Sequence, residues 1–453
     1  MKILLIQPSK APSSLGGEDI FLFEPLALEY VAAGVSRDHE VMILDQRLEK
    51  NLRDILEGFR PQIVGITSYT VHVNPTKNLF EQIKKWSPHV LTVVGGHHAT
   101  IAPEDFHSPY IDLIVMGEGV LAFREIISRY EQQEGFQDIP GVAFTKNGEI
   151  ERTEFSKAVD LDALPIPDRS LTTKYRKHYY SEWMKPMASI RTSKGCPFRC
   201  NFCALWKLTG GQYLRRSPGK VVEELADIEE EFVFFADDES LVDAKRMRTL
   251  AKLIKDAGIK KRYFLYGRSD TIARNHTLMK TWRDIGLEKV FVGLEFFRDE
   301  DLNYVGKGTS INDNHEAMKI LMNLGIEPYP SFIIRPEWQR CDFKELRQYC
   351  RNLGLSFASF AVLTPLPGTD LYEQTKGQLI TRDYDYFDFI HTLLPTALSL
   401  KDFYEEYYQL YRKSFTLKES MTYIKKYPLK QIPNTLVRSY RFYNKLRNAY
   451  RDY

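Results

Sequence analysis

An α/β fold built from two successive parallel sheets is what this sequence predicts, and three observations carry the prediction. Short β-type runs alternate with helical spacing through the first half. The same rhythm returns after residue 185 with different loops. Beyond Lys401 the strand signal stops and Tyr, Lys and Arg recur at helical spacing. At 453 residues the chain is too long for one ordinary domain.

In order, KILLIQP reads as a strand, EPLALEYVAAGVSRD as a helix, HEVMILD as a strand and Gln46 to Phe59 as a charged helix. PQIVGITSYT is the next strand, followed by a helix near Pro75 to Trp86, then strands at HVLTVVGGHH and IDLIVMGEG. Strands alternating with helices at this spacing imply a parallel, doubly wound sheet, whose ligands sit outside the carboxyl ends of the strands. The loops there are Gln7–Ser9, Thr67–Thr70, Gly95–Thr100 and Gly117–Gly119. GVAFTKNGEIER predicts a hairpin and LDALPIPDRS a proline-rich linker, which places a boundary in residues 141–185.

The second half has strands at PMASIRTS, EFVFFADD, KRYFLYGRSD, KVFVGLEFF, EPYPSFII and FASFAVLTPLP, separated by amphipathic helices such as VVEELADIEEE. Such units suit a partial or full parallel (β/α) barrel, whose functional face is again the carboxyl end of its strands. The expected division is therefore 1–140, a linker at 141–185, a barrel over 186–375 and a helical region over 376–453.

A formal net charge of +2 gives no reason to expect a nucleic-acid partner. No run of eighteen apolar residues exists to span a membrane, and MKILLIQPS reads as a first strand rather than a signal peptide. Five cysteines, an odd number, cannot make a disulfide framework in so long a chain, so a cytoplasmic setting is expected.

Three of those cysteines, Cys196, Cys200 and Cys203, crowd into KGCPFRCNFC just after the first barrel strand. Structural zinc wants four closed ligands, and no fourth Cys or His lies nearby. Free thiols packed in a core are a second alternative. Three thiolates around a [4Fe–4S] cluster leave one iron open to substrate, and this reading is preferred. Cys341 and Cys350 fall in a helical segment and are expected to pack rather than ligate.

CPFRCNFC resembles the Cys-x-x-x-Cys-x-aromatic-Cys loop of radical S-adenosylmethionine enzymes, with Phe202 as the aromatic. The resemblance extends over roughly residues 185 to 375, through YLRRSPGKVVEEL, FADDES, YGRSD, VGLE and LTPLPGTDLY. It implies an open iron that binds S-adenosylmethionine and a one-electron cleavage to a 5′-deoxyadenosyl radical. On the same basis Asp237, Asp238, Glu239, Arg268, Ser269 and Glu295 are expected contacts of S-adenosylmethionine. One departure is SFIIRPEW, which lacks the Gly-x-Pro-Gly turn of related sequences and puts Arg335 where backbone would approach adenine or substrate. A surface salt bridge is the other reading of Arg335.

FEPLALEYVAAGV, HEVMILD, VGITSYT, VVGGHHAT and DLIVMGEG together resemble the flavodoxin-like (Rossmann-type) cobalamin-binding domain that precedes the radical domain in one large subgroup. The expected cobalamin contacts are Ser9, Ser68, Thr70, Gly95, Gly96, His97, His98, Gly117 and Glu118. The Asp-x-His-x-x-Gly signature that supplies histidine to cobalt in other B12 domains is missing, so no protein histidine is expected below the cobalt. Methylthiotransferases, which carry a second cluster in an N-terminal domain, are excluded because no Cys precedes Cys196.

The resemblance implies an enzyme with a [4Fe–4S] cluster, S-adenosylmethionine and cobalamin. The favoured reaction is methylation of an unactivated carbon of a small-molecule or lipid substrate, through the 5′-deoxyadenosyl radical and methylcobalamin. The alternative is radical oxidative cyclisation or ring rearrangement, as in anaerobic magnesium-protoporphyrin ester cyclase. A degenerate regulator is a third class. A reducing partner such as flavodoxin or ferredoxin is expected. The C-terminal segment, with FYEEYYQLYRKSF and LVRSYRFYNKLRNAY, is expected to cap the barrel mouth, either by aromatic packing or by resting on an anionic membrane surface.

Overall fold

The computed structural model describes residues 1–146, 148–154 and 159–453. Its N-terminal sheet begins with β1 (Lys2–Gln7), β2 (Glu40–Asp45), β3 (Ile63–Thr67), β4 (Leu91–Gly95) and β5 (Leu113–Val115), all parallel. The hairpin of β6 (Val142–Lys146) and β7 (Glu149–Arg152) then adds two antiparallel strands, giving the order 2-1-3-4-5-6-7. The sheet thus continues through Arg152, past residue 140. The turn residue Asn147 and linker residues 155–158 lie outside the described residues.

Continuous apolar runs such as ILLI in β1 are buried because helices cover both faces. One layer holds α1 (Leu26–Ala33) and α5 (Gly119–Gln132); the other holds α2 (Leu52–Phe59), α3 (Val73–Trp86) and the short α4 (His97–Ile101). α2 is shorter than the run from Gln46 predicts. Arg47 turns back onto Asp45 at 2.6 Å and bonds the Phe23 carbonyl, which holds that segment as a turn.

The second sheet is a parallel half-barrel of six strands, β8 (Met187–Ile190), β9 (Phe232–Phe235), β10 (Arg262–Arg268), β11 (Leu287–Glu295), β12 (Glu327–Ile334) and β13 (Ser359–Val362), in sequential order and not closed. Between them run α6 (Pro218–Asp227), α7 (Ala244–Asp256), α8 (His276–Asp284), α9 (Ile311–Asn323) and α10 (Arg340–Asn352). The outer core joins strands to helices through Val233, Leu265, Trp282 and Phe332. The inner face is aromatic, with Phe234, Phe264, Tyr266, Phe291 and Tyr329 in mutual ring contact.

The C-terminal helices α11 (Leu400–Lys413), α12 (Leu417–Ile424) and α13 (Ile432–Asn448) do not cover the mouth. α11 seals the free edge, where the Tyr407 and Tyr411 hydroxyls bond the Phe360 carbonyl of β13. α12 lies at the amino ends of the strands: Tyr423 bonds Glu182, Lys426 bonds Glu327 at 2.7 Å, and both carboxylates flank the buried Lys289. The expected cap is therefore a floor and an edge seal. Position follows from chemistry, because the unpaired strand edge and the buried lysine both need polar partners that the tyrosines and glutamates supply.

A strap after β13 ties the two sheets together. Tyr384 bonds Asp105 at 2.6 Å, Asn74 bonds Asp383 at 2.7 Å, and the Leu15 amide donates to Asp388 at 2.7 Å.

Candidate active site

The cysteine loop leaves β8 through Gly195, whose φ of 88° belongs to the left-handed region. A Cβ there would sit 2.2 Å from the Gln212 carbonyl, so only glycine fits. The loop is held at its far side by the Asn201 amide on the Val305 carbonyl, and by the Leu371 amide on the Asn201 carbonyl. Cys200 is buried, while Cys196 and Cys203 are half-buried. Burial pushes the thiols of Cys196 and Cys203 up to about 11 and about 12. A cationic centre would be needed to hold them as thiolates.

Among the described residues no three His, Cys, Asp or Glu side chains converge as the donors of a single ion would. A tetrahedral zinc would require thiolates within about 4 Å of one another. The loop's donor chemistry, three sulfurs and no fourth ligand, instead fits a multi-iron cluster with one open iron.

Behind the loop the three acids of FADDES each brace a different segment. Asp237 accepts from the Thr192 amide at 2.7 Å, the Ser193 amide at 2.8 Å and the Thr192 hydroxyl at 2.6 Å. Asp238 accepts from the Gly195 amide at 2.6 Å. Glu239 accepts from the Arg268 amide, the Thr271 hydroxyl and the Leu241 amide. Asp237 and Glu239 thus spend oxygens on the chain itself. Burial raises the Asp238 carboxyl to about 6, with Asp237 adding to the rise.

Arg268 lies 3.6 Å over the Phe198 ring of the cysteine loop, pairs with Asp270 at 3.0 Å and bonds the Lys307 carbonyl at 2.6 Å. Glu295 ends β11 with φ 61°, an unusual conformation for a non-glycine residue, and holds Lys307 at 2.6 Å. Burial works against the charge of Lys307, but Glu295 outweighs it and keeps the ammonium protonated. Ser240 and Ser269 keep buried hydroxyls without a hydrogen-bond partner at the ends of β9 and β10. Such unspent polar capacity beside the cysteine loop fits a zwitterionic ligand of the S-adenosylmethionine kind. Arg335 is engaged elsewhere, with Asp301 at 2.5 Å, Glu337 at 2.7 Å and the Tyr304 ring, so it takes the ion-pair reading. Cys350 is buried in α10, as a packing residue should be, while Cys341 is exposed.

Facing this mouth, the carboxyl ends of the N-terminal strands open onto a pocket of about 910 Å³, partly open to solvent. Gly95, Gly96, His97, Gly117 and Glu118 line it, with Tyr30 and Thr67 from the same domain and Arg191 and Lys194 from the barrel. Gly96 has φ 106°, and a Cβ there would stand 2.8 Å from both backbone N and O of Ser68. The glycine lets β3 and β4 end side by side and leaves a cradle of small residues. Burial lowers the His97 imidazole to about 4, so it is neutral in the pocket.

Ser9, Ser68, Thr70 and His98 are not among the residues that line the pocket. Ser9 bonds Glu18, Ser68 bonds the Tyr69 carbonyl, and His98 is buried with Nδ1 on Thr70 at 3.1 Å and Nε2 on Asp105 at 2.9 Å. With both nitrogens occupied, His98 serves the fold rather than a ligand.

Sequence reasoning named Glu118 but missed the groups that join it to the other half. Glu118 pairs with Lys194 at 3.0 Å and Arg191 at 3.5 Å, and Arg191 lies over the Tyr30 ring. Tyr69 is 48% exposed, yet burial raises its phenol and Asp238 raises it further. The ring stands edge-on to His97, a lining residue of the pocket, at 4.9 Å. Burial raises the Tyr266 phenol from the barrel side, with Tyr69 and Asp238 adding to the rise. Tyr69 lies inside TSYT and Lys194 begins KGC, so both were within segments already singled out; nothing local showed that they face each other's domain.

The comparisons agree with this geometry. The B12 binding domain model matches residues 18–127 and the Radical SAM superfamily model residues 190–350. The chain is 33% identical over 415 residues to the hopanoid C-3 methylase of Methylococcus capsulatus, covering 90% of this chain and 78% of that protein. It is 27% identical over 447 residues to the anaerobic magnesium-protoporphyrin IX monomethyl ester cyclase of Rubrivivax gelatinosus, covering 93% and 79%. Among solved structures, the cobalamin-dependent S-adenosylmethionine radical enzyme OxsB superposes with TM-score 0.72 at 16% identity, over 90% of this chain and 66% of that one. The radical S-adenosylmethionine methyltransferase TsrM from Kitasatospora setae superposes with TM-score 0.67 at 18% identity, over 87% and 82%. A small-residue cradle beside a three-cysteine loop, in a chain with these relatives, makes this protein a member of the B12-dependent radical S-adenosylmethionine enzymes, whose cofactors are a [4Fe–4S] cluster, S-adenosylmethionine and cobalamin.

Proposed function

We propose that the enzyme methylates an unactivated carbon of an apolar substrate, with a polycyclic lipid of the hopanoid kind as the first candidate. The observation that carries this reading is the 33% identity to a hopanoid C-3 methylase across 90% of the chain. The aromatic inner face of the half-barrel, where Phe234, Phe264, Tyr266, Phe291 and Tyr329 meet ring to ring, supports it by offering apolar surface to such a substrate.

When bound, the three cofactors supply hydrogen abstraction and a methyl donor; the residues position and shield. Cys196, Cys200 and Cys203 would hold three irons. Asp238, Ser240, Ser269, Glu295 and Lys307 surround the place for S-adenosylmethionine, and Gly95, Gly96, His97, Gly117 and Glu118 the place for cobalamin. Tyr69, against His97 of the pocket, and Tyr266, on the inner face of the half-barrel, would restrict water where the two meet.

The test is turnover of a hopanoid extract with methyl-deuterated S-adenosylmethionine, a reductant such as flavodoxin or ferredoxin, and mass spectrometry. A product carrying the deuterated methyl is expected, with 5′-deoxyadenosine formed alongside. An unlabelled product with altered hydrogen count would instead favour the cyclase-type reading, which the 27% identical relative keeps in view.

A further inference from the structure

We infer that residues 417–441 form a docking surface for an anionic lipid bilayer, set beside the outer end of an aromatic stack that runs into the barrel. Three observations carry it.

The first is exposure. Leu417 is 87%, Leu429 85% and Tyr440 72% exposed, and Met421, Leu436 and Val437 are exposed with them. Leu417 and Met421 stand one turn apart on α12, Leu436 and Tyr440 one turn apart on α13, and Leu429 lies between the helices. Apolar side chains exposed this densely along one segment mark an interaction surface rather than the scatter found on any protein.

The second is charge. Residues 415–447 contain eight Lys or Arg and one Glu, in a chain whose net charge is only +2. Lys418, Lys425, Lys430 and Arg441 are exposed among the apolar side chains. A second copy of the same face would set like charges against each other, which disfavours a symmetric dimer. A bilayer of anionic headgroups over an acyl interior is complementary to both halves of the pattern.

The third is position. Arg438 of α13 bonds the Tyr180 hydroxyl at 3.0 Å, and Leu22 pairs with Tyr180 in a two-residue ladder that places Phe21 against Ser181. From the exposed Phe21 a line of rings runs inward: Phe23 at 5.2 Å, Phe234 at 4.3 Å, Tyr266 at 5.1 Å and Phe291 at 5.0 Å. An apolar molecule leaving the bilayer beside α13 would first meet Phe21, the exposed end of a ring stack whose inner members form the inner face of the half-barrel. This part rests on the lipid-substrate reading above; the docking itself does not.

The experiment is co-sedimentation of the full holoenzyme with vesicles of phosphatidylcholine alone or mixed with phosphatidylglycerol. Binding to the mixed vesicles, weakened by salt and nearly absent on phosphatidylcholine, is expected. The triple variant Lys425→Glu, Lys430→Glu, Arg441→Glu should bind about a hundredfold more weakly, while cleaving S-adenosylmethionine at the wild-type rate without vesicles. The pair Leu417→Ser, Leu429→Ser should lose the binding that survives high salt. Equal binding to both vesicle types, no binding, or an undiminished triple variant would overturn the proposal. A wild-type protein that does not sediment but whose oligomeric mass changes in the triple variant would assign the face to a protein partner instead. The assay uses no substrate, so a failed methylation leaves its result intact.

Discussion

The ammonium of Lys194 donates to the carboxylate of Glu118 across 3.0 Å, joining the residue that opens the cysteine loop to a residue that lines the pocket of the other domain. Burial alone would raise the Glu118 carboxyl, but Arg191 and Lys194 outweigh it and hold it below the usual range. One carboxylate therefore reports on both halves of the site.

Glu118→Gln should cost about 2 kcal/mol of stability, since it leaves two partly buried cations without their anion. Urea unfolding followed by circular dichroism measures this, and cobalamin affinity should fall with it. An unchanged midpoint and unchanged affinity would show that the contact does not couple the halves.

Replacing Cys196, Cys200 and Cys203 together with Ala should abolish cluster absorbance and reductive cleavage of S-adenosylmethionine. Wild-type protein reconstituted anaerobically should hold about four irons. Finding zinc in their place, with iron available during expression, would remove the basis for the assignment.

His97→Ala and His98→Ala should behave differently. The first removes a neutral ring from the pocket wall and should leave the electron paramagnetic resonance of bound cob(II)alamin without change in axial nitrogen splitting. The second removes a buried ring bonded to Thr70 and Asp105, and should cost about 2–3 kcal/mol in stability. Strong axial nitrogen splitting in the wild type, lost in His97→Ala, would make His97 a cobalt ligand.

His391 gives a pH dependence with a definite sign. Burial works against its charge, but Asp388 at 2.8 Å and Asp452 at 3.1 Å outweigh it and raise the imidazole above its ordinary 6.5. The contribution is fully present below the unfolded value and is lost as pH rises through the folded one. Unfolding midpoints compared at about pH 6 and about pH 8 should fall with pH, and His391→Leu should flatten the difference. A slope of opposite sign would show that the ring folds in neutral.

The cysteine loop, the glycine cradle and both βα rhythms were legible in the sequence because each is local. Cys196, Cys200 and Cys203 span eight residues, and Gly96 acts on a strand end that its own loop meets. Apolar periodicity reports burial directly, which is why the strands were readable while the helix start at Leu52, decided by the Arg47–Asp45 pair, was not. Only the tertiary structure decided that Glu118 meets Lys194, that Asp237 and Glu239 brace the chain, that His98 is occupied by Asp105, and that the C-terminal helices floor the barrel rather than cap it. Each depends on residues far apart in the chain, brought together by sheet order and packing. A charged side chain carries no mark in sequence of the partner that folding will bring to it.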